Sequence, residues 1–429
     1  MYRVPYGKTH LEFDLLPGMR GTLVESRHVP PVADVPAAVA EALAAPIDAP
    51  PLTELARSGD KVCLVFTDAT RASPDALLVP PILRALEQAG VRDEDVTLLC
   101  GIGMHRPSTH EEKVAKLGAA AVARYTVIDN EPQNPDALVD LGVVHGIPLS
   151  VHRAAYQADL LIATGSVDPH QYAGYSGGPK TVAVGAAGEP LIAYSHGPAF
   201  MDDPNVRLGE LAGNPFQEAI SEAASRAGLR FIVNAVLDDE ARAVAVMAGA
   251  PSPTHARLVD YARSVYEVPI DRQYDVAVCG VGYPKDANLY QATRGASNLY
   301  FGPTPVLRPG GIFIVPARCQ EGAGEGVGEQ RFYRALSSAP DVAYVLADGR
   351  ANGYPPGQQR SFVMAKLLEH NQVVFAATEC PEVVAACKMR PAESVEAALA
   401  MAAADLGPDL DVLIVPHATR TLPIVTSDE

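Results

Sequence analysis

Residues 61–101, KVCLVFTDATRASPDALLVPPILRALEQAGVRDEDVTLLCG, contain a predicted strand, helix and second strand. The runs KVCLVFT (61–67) and VTLLCG (96–101) are short and apolar, as buried strands are. The intervening DALLVPPILRALEQAG places its apolar residues at helical spacing. A helix between two buried strands predicts that the strands are parallel, because the helix returns the chain to the edge where the first strand began.

The same alternation of strands and helices continues along the chain. Further strand-like runs are DLLIATG (159–165), RFIVNAVLD (230–238), YDVAVCGVG (274–282), GGIFIVPA (310–317), VAYVLAD (342–348), QVVFAATE (372–379) and DVLIVPHA (411–418). This rhythm predicts an α/β fold of two domains, each with a mainly parallel sheet flanked by helices. A helix rich in Ala and Arg gives way to VPIDRQ at 268–273, so we expect an N-terminal domain of residues 1–269 and a C-terminal domain of residues 270–429. The active site is expected in the cleft between them.

Composition excludes several classes of partner. The chain of 429 residues has 34 Lys and Arg against 51 Asp and Glu, a formal net charge of −17 that disfavours nucleic acid and anionic membrane surfaces. Neither a signal-peptide pattern nor a long uncharged apolar run is found, so a soluble, cytoplasmic protein is expected. The six cysteines are scattered without a CxxC pair, which predicts buried free thiols rather than disulfides or zinc ligands.

Residues that follow the strands are the first candidates for function, because ligands of open α/β sheets bind beyond the carboxyl ends of the strands. Ser73 is predicted to cap a helix that starts at Pro74, and a helix N-terminus with Arg71 beside it can bind a phosphate. An Arg71–Asp68 pair at the turn is the alternative. His105 follows the next strand, before a predicted Thr109–Glu112 capping box, and is either functional or an ordinary surface residue.

The stretch HQYAGYSGGPK (170–180) follows a third strand. Its glycines let backbone N–H groups approach a ligand closely. Lys180 can be a surface lysine, a phosphate counter-ion or a covalent anchor for a carbonyl group. His170 begins this stretch, His196 follows later in AYSHGPAF (193–200), and each can be a surface residue, a packed residue or a metal ligand.

The second half of the chain offers a candidate carboxylate site. Gln291 and Arg294, in ANLYQATRGASNLY, are three residues apart and therefore neighbours on one helical face. An amide and a guanidinium side by side can hold a carboxylate. An ordinary solvated face is the alternative.

Five motifs together resemble the lactate racemase family. They are DATR (68–71), GMHRP (103–107), PHQYAGYSGGPK (169–180), SHG (195–197) and YQATR (290–294), and they span both predicted domains in order. The resemblance implies a nickel-pincer nucleotide, a pyridinium mononucleotide whose two sulfurs and one ring carbon hold nickel. It places the cofactor and the catalytic histidines in the N-terminal domain and substrate-binding residues in the C-terminal domain.

By this resemblance each candidate residue receives a role. The family pattern implies that Lys180 ties the cofactor covalently and that His196 is the fourth nickel ligand. His105 and His170 correspond to the acid/base pair. The residues implied to hold the nucleotide are Asp68, Ala69, Thr70, Arg71, Ser176 and Gly177, and those implied to bind substrate are Tyr290, Gln291 and Arg294.

The implied reaction inverts the C2 centre of a 2-hydroxy acid by hydride transfer to and from the cofactor. Because the C–H bond beside an ionised carboxylate is poorly acidic, hydride removal avoids a carbanion, and the two histidines handle the hydroxyl proton on the two faces. Loading of the cofactor requires cofactor-building enzymes as partners. Two rival hypotheses are a nicotinamide-dependent 2-hydroxy acid dehydrogenase, whose GxGxxG motif is missing after the first strand, and a non-catalytic nucleotide-binding protein.

Two departures from the family pattern leave the substrate open. Lactate-specific members carry lysine where this chain has Arg294, and they use a tryptophan, whereas this sequence contains none. Lactate, a longer or aromatic 2-hydroxy acid, and malate are therefore all candidates.

Overall fold

The structure is a computed structural model that describes residues 1–426. Most strands are short and fall where apolar residues are consecutive or alternate. In chain order they are β1 (Tyr2–Tyr6), β2 (Thr9–Phe13), β3 (Arg20–Leu23), β4 (Val62–Thr67), β5 (Val96–Gly101), β6 (Thr126–Asp129), β7 (Leu138–Val144), β8 (Ile147–His152), β9 (Leu160–Ser166), β10 (Pro169–His170), β11 (Gly174–Tyr175), β12 (Leu229–Leu237), β13 (Ala243–Gly249), β14 (Glu267–Ile270), β15 (Tyr274–Cys279), β16 (Leu307–Pro316), β17 (Gln372–Ala376), β18 (Arg390–Ala392), β19 (Asp411–Val415) and β20 (Leu422–Val425).

The helices separate the strands, as the sequence predicts. In chain order they are α1 (Val35–Ala44), α2 (Leu52–Leu55), α3 (Asp75–Gln88), α4 (His110–Leu117), α5 (Ala119–Arg124), α6 (Arg153–Tyr156), α7 (Glu189–Ser195), α8 (Pro198–Met201), α9 (Pro215–Arg226), α10 (Pro251–Tyr266), α11 (Leu289–Ala292), α12 (Arg294–Tyr300), α13 (Val327–Ser338), α14 (Val342–Asn352), α15 (Gln359–Leu368), α16 (Pro381–Ala386) and α17 (Val395–Leu406). Short 3₁₀ turns cover Asp93–Asp95, Pro135–Ala137 and Lys285–Ala287, and a π-helical turn covers Thr181–Gly185. No helix within residues 1–426 combines the length and the apolar character that a membrane span requires.

The chain divides into two compact units that interleave along the sequence. One unit contains residues 28–195 and 211–265, and the other contains 1–27, 196–210 and the chain from Tyr266 onwards. The predicted single boundary at 269/270 lies close to the crossing at Tyr266. The predicted N-terminal domain also contains residues 1–27 and 196–210, whereas in the structure these two segments belong to the unit with the C-terminal part of the chain.

The sheet of the unit formed by 28–195 and 211–265 has the strand order β13-β12-β9-β4-β5-β6. All its neighbours are parallel except β12 and β13, which are antiparallel. From β4 the chain moves to β5 and β6 on one side, and then to β9 and β12 on the other side. The reversal lies between β4 and β9, where ligand sites of open α/β sheets usually form.

The other unit repeats this plan with different strands. Its sheet has the order β18-β17-β16-β15-β19-β3, and every neighbouring pair is parallel. The strand β3 pairs with β19, which explains why residues near the N-terminus belong to this unit. The strand order reverses between β15 and β19, so the residues after β15 occupy the corresponding position. The predicted α/β architecture with mainly parallel sheets is therefore confirmed.

One strand prediction is wrong. VAYVLAD (342–348) forms the start of α14, where Asp341 accepts a hydrogen bond from the backbone N–H of Tyr344 at 2.8 Å and so caps the helix. Val345, Leu346 and Gly349 are its buried residues, a helical spacing. A short apolar run does not distinguish a buried strand from a half-buried helix, and here the cap and the packing select the helix.

Burial of the thiols is as predicted. All six cysteines are buried and none is in a disulfide.

Candidate functional site

The turn after β4 is built around the carboxylate of Asp68. The backbone N–H of Arg71 donates to the Asp68 carbonyl at 3.1 Å, which closes the turn. Asp68 is only 5% exposed, and its Oδ1 accepts a hydrogen bond from the Thr70 hydroxyl at 2.8 Å. Its Oδ2 lies 2.5 Å from His105 Nδ1. The structure therefore joins two of the predicted site segments, DATR and GMHRP, in one hydrogen-bonded pair.

The charge state of Asp68 follows from these contacts. Burial alone would raise the pKa of Asp68, but the hydrogen bond and charge of His105, the charge of Arg71 and the Thr70 hydroxyl outweigh burial and lower it. An ionised Asp68 makes His105 Nδ1 the donor of the pair. In neutral His105 the other ring nitrogen, Nε2, then carries no proton and can accept one.

The loop that carries His105 approaches another backbone closely. Gly103 has φ 55° and donates its N–H to the Gly185 carbonyl at 2.9 Å. A Cβ on Gly185 would lie 3.0 Å from the Gly101 Cα. The close approach of Gly101 and Gly185 therefore depends on the absence of side chains at these two residues. The His105 side chain itself is 45% exposed. His105 thus lies on a loop that contacts a neighbouring backbone segment, and its side chain is partly accessible. The Thr109–Glu112 capping box that follows it is present as predicted.

Ser73 does not cap the following helix, which corrects the sequence prediction. The helix α3 begins at Asp75, with Pro74 at the cap position and no side-chain capping bond. The Ser73 hydroxyl instead donates to Asp75 Oδ1 at 3.3 Å. Asp75 is fully buried, and the Thr67 and Thr164 hydroxyls also donate to its carboxylate, at 2.5 and 2.6 Å. The buried carboxylate recruits these hydroxyls, because its desolvation must be offset by hydrogen bonds.

Lys116 of α4 completes this network. Its ammonium lies 3.1 Å from Asp75 Oδ2 and donates to the backbone carbonyls of Arg71 and Ser73, at 2.8 and 2.9 Å, and to the Thr67 hydroxyl at 3.0 Å. The Lys116 side chain is 11% exposed. We call Asp75 and Lys116 the buried pair. This pair fixes both ends of the loop that contains Arg71, and no local sequence signal identifies it.

His170 lies in a short β-hairpin whose strands, β10 and β11, have two residues each. Its Nδ1 accepts hydrogen bonds from the backbone N–H groups of Tyr172 at 3.3 Å and Ala173 at 3.2 Å. Because those groups can only donate, neutral His170 carries its proton on Nε2. The rings of Tyr172 and Phe216 lie 5.6 and 6.4 Å from the imidazole, centroid to centroid. His105 and His170 are therefore held in opposite tautomers.

The loop from Ser176 to Lys180 is held by residues that no local sequence pattern identifies. Gly177 and Gly178 have φ 76° and 53°, and a Cβ on Gly178 would lie 2.7 Å from the His255 ring. Asn234 Oδ1 accepts the Gly178 N–H at 2.7 Å, and His255 Nε2 donates to the Ser176 carbonyl at 2.9 Å. Burial lowers the pKa of His255, and the hydrogen bond to Ser176 opposes this effect only in part. Neutral His255 thus serves as a fixed donor.

The Ser176 hydroxyl is used within the loop. It donates to the Ser166 carbonyl at 2.8 Å and accepts from the Asp168 N–H at 3.0 Å. Lys180 follows directly and donates its backbone N–H to the Gly177 carbonyl at 3.1 Å, at the start of the π-helical turn. The backbone at Lys180 is therefore defined by the glycine turn before it.

Gln171, next to His170, has a buried polar atom without a partner. The residue is 7% exposed, and its Oε1 receives no hydrogen bond from the residues that the structure describes. Buried acceptors of this kind are uncommon and call for a donor. A ligand hydroxyl is one such donor.

Within residues 1–426, no three His, Cys, Asp or Glu side chains form a cluster that could hold a metal ion.

The remaining predicted residues belong to the other unit. His196 follows α7 directly and begins the segment 196–210. Gln291 and Arg294 lie after β15, at the reversal of the strand order, on α11 and on the first turn of α12. Arg294 Nε donates to Gln291 Oε1 at 2.8 Å, which confirms that the two side chains are neighbours. The Tyr290 ring packs edge-on against Phe332, with centroids 5.6 Å apart.

Comparison with known proteins identifies the family of the chain. The family description "Lactate racemase N-terminal domain" matches residues 6–209, and "Lactate racemase C-terminal domain" matches residues 271–422. The lactate racemase of Lactiplantibacillus plantarum is 31% identical over 386 residues, which cover 88% of each chain. The chain belongs to the lactate racemase family.

Other relatives extend the similarity over nearly the whole chain. The lactate racemase of Thermoanaerobacterium thermosaccharolyticum is 28% identical over 426 residues, or 98% of each chain. The solved structure of that organism's lactate racemase apoprotein superposes with a TM-score of 0.89 at 27% identity, covering 98% of this chain and 99% of the other. Within this lactate racemase family member, Asp68 and His105 follow strands β4 and β5, and Gln291 and Arg294 follow β15.

The buried pair predicts a large stability effect at a single position. Lys116→Met should lower the free energy of unfolding by about 3–5 kcal/mol, because it leaves the Asp75 carboxylate buried without its cation. The double variant Lys116→Met/Asp75→Asn removes the isolated charge and should recover part of that loss. Urea unfolding followed by circular dichroism at neutral pH measures both values. A loss below about 1 kcal/mol for Lys116→Met would contradict the importance of the pair.

The lowered pKa of Asp68 predicts a pH-dependent stability difference. A carboxylate whose folded pKa lies below its ordinary value of 3.8 contributes stability that is present above that value and is lost as the pH falls through the folded pKa. The melting temperature of the parent protein should therefore fall more steeply than that of Asp68→Asn as the pH decreases below about 4. Thermal melts of both proteins between pH 7 and pH 3 test this. Parallel curves for the two proteins would show that Asp68 makes no such contribution.

Proposed function

We propose that this protein is a 2-hydroxy acid racemase or epimerase that uses two histidines as acid and base. The observation that carries the proposal is the Asp68–His105 pair at the reversal of strand order, on the same sheet edge as the His170 hairpin and the Lys180 loop. The lactate racemase relatives support the same reaction class. Family membership and site chemistry therefore point to one activity.

The two histidines differ in what they offer to a substrate hydroxyl group. Since Nδ1 of His105 faces the Asp68 carboxylate, its Nε2 can accept the hydroxyl proton, and the carboxylate then stabilises the imidazolium. Neutral His170 holds its proton on Nε2 and can donate it to an oxygen. This opposite arrangement suits a reaction in which the proton leaves on one face and returns on the other.

The residues fit a nickel-pincer nucleotide, which we propose as the cofactor. Lys180 would be its covalent anchor, and His196 would supply one imidazole ligand to nickel. The residues that would hold the nucleotide are Asp68, Ala69, Thr70, Arg71, Ser176 and Gly177. The buried Gln171 Oε1, which lacks a donor among the described residues, fits a ribose hydroxyl. When bound, the cofactor would supply the acceptor for the C2 hydride.

Substrate binding is assigned to Gln291 and Arg294. Their mutual hydrogen bond uses the Gln291 oxygen and the Arg294 Nε, so the Gln291 amide N–H groups and the outer guanidinium nitrogens remain to hold a carboxylate. Tyr290 would border this position. Lactate is the first candidate substrate, because the relatives named above are lactate racemases. The planar guanidinium also allows an aromatic 2-hydroxy acid or malate.

The activity is tested with a panel of optically pure 2-hydroxy acids and chiral chromatography. Protein produced together with the cofactor-building enzymes should racemise at least one member of the panel. His105→Ala and His170→Ala should each reduce the rate by about 10²–10⁴ while retaining the cofactor, because each removes a positioned acid or base. Inertness of the cofactor-loaded parent towards lactate, phenyllactate and malate would refute the racemase proposal.

The covalent anchor is tested separately by intact-protein mass spectrometry. The parent protein made with the cofactor-building enzymes should carry an added mass that Lys180→Ala lacks. Lys8→Ala removes an exposed lysine outside the candidate site and should still load, which controls for the loss of a lysine elsewhere. Equal added mass in the parent and in Lys180→Ala would place the attachment elsewhere.

A further inference from the structure

A cavity of about 320 Å³ lies within the unit that contains the C-terminal part of the chain. One wall is the segment after α8, and the other comes from α12, β16 and α15. The apolar part of the lining includes Val206, Tyr300, Phe301, Leu307 and Phe313. This volume lies at the lower end of the range of about 300–1,000 Å³ that is usual for small-molecule sites. The aromatic rings favour a flat apolar group.

Arg207 also lines this cavity, and part of its guanidinium group lacks a partner. Nη1 donates to the Pro303 carbonyl at a long 3.3 Å. Nε is buried and makes no hydrogen bond with any described residue. Among residues 1–426, no carboxylate forms an ion pair with Arg207. A buried cationic donor without an acceptor is costly, so the cavity favours a ligand that brings an acceptor with a negative charge.

The other charges around the cavity do not neutralise Arg207. Asp202 pairs with Lys366 at 3.1 Å and with Arg350 at 2.8 Å, so one carboxylate serves two cations. The remaining acid, Asp203, accepts the backbone N–H of Asn205 at 2.8 Å. The lining holds two cations, Arg207 and Lys366, and two carboxylates, Asp202 and Asp203, and within residues 1–426 neither carboxylate forms an ion pair with Arg207. One negative charge on a ligand would therefore suffice to pair with Arg207.

We propose that this cavity binds a small organic monocarboxylate with an aromatic or other flat apolar body. The carboxylate would accept hydrogen bonds from Nε and the remaining Nη of Arg207, the edge of the guanidinium that matches two carboxylate oxygens. The apolar body would lie against Tyr300 and Phe301. This site goes beyond the proposed racemase function, because neither the acid/base histidines nor the residues assigned to substrate line the cavity.

The test measures binding of 3-phenylpropanoate, which has no 2-hydroxyl group and cannot be racemised. Isothermal titration calorimetry of the full chain should show saturable binding at one site. The neutral alcohol 3-phenylpropan-1-ol and inorganic phosphate should each bind at least about tenfold more weakly, since the first lacks the charge and the second lacks the apolar body. Phosphate binding equal to that of 3-phenylpropanoate would overturn the proposal.

Variants locate the site. Arg207→Gln should raise the Kd for 3-phenylpropanoate by about 10- to 100-fold, the effect expected for loss of charged hydrogen bonds. Arg334→Gln removes the same charge from an exposed position of α13 and should leave the Kd unchanged. Arg294→Gln should also leave it unchanged, and loss of binding in that variant would mean that the probe occupies the proposed substrate position instead.

A second measurement keeps the test decisive if Arg207→Gln does not fold. Arg207→Lys keeps the charge without the planar fork, and its affinity for 3-phenylpropanoate should be lower by a factor of about three or more. Amide hydrogen exchange of the parent should slow on ligand addition in residues 201–207 and 300–307, the two walls of the cavity. Unchanged affinity in Arg207→Lys together with unchanged exchange in both segments would refute the site. No outcome depends on the racemase activity, so the two proposals fail separately.

Discussion

The candidate site in the unit formed by 28–195 and 211–265 depends on the contacts of one buried carboxylate, that of Asp75. It is fully buried, and its partners come from β4, from the following loop, from β9 and from α4. A buried carboxylate is tolerated only when hydrogen bonds and a cation offset its desolvation. Meeting that requirement holds the loop after β4 in one conformation. The loop in turn places Asp68 beside His105.

The parallel direction of neighbouring strands explains why motifs far apart in the chain lie at one edge of a sheet. In the sheet that contains β4, the motifs follow β4, β5 and β9, three adjacent parallel strands. Parallel strands end at the same edge, so the residues after them are neighbours whatever their separation in the chain. The other sheet has the same kind of reversal, and Gln291 and Arg294 follow its strand β15. In both units, candidate side chains therefore follow parallel strands next to a reversal of the strand order.

The backbone of the Lys180 loop is determined by contacts as much as by its glycines. Positive φ values at Gly177 and Gly178 allow the turn, whereas Asn234 and His255 select one conformation of it. The family fold is retained at 27% identity to the Thermoanaerobacterium thermosaccharolyticum apoprotein, with a TM-score of 0.89. Arg294, which we propose for substrate binding, presents a planar guanidinium rather than the point charge of a lysine.

The amino-acid sequence alone determined the α/β class, most strands, the Thr109–Glu112 cap and the proximity of Gln291 to Arg294, because these follow from local periodicity and spacing. It did not determine the role of Ser73, whose hydroxyl turns to a buried carboxylate, or the helix at 342–352, where packing overrides a strand-like run. The Asp75–Lys116 pair and the pairing of β3 with β19 were also decided by tertiary structure. Contacts between residues far apart in the chain depend on which surfaces the fold buries together, and no local pattern contains that information.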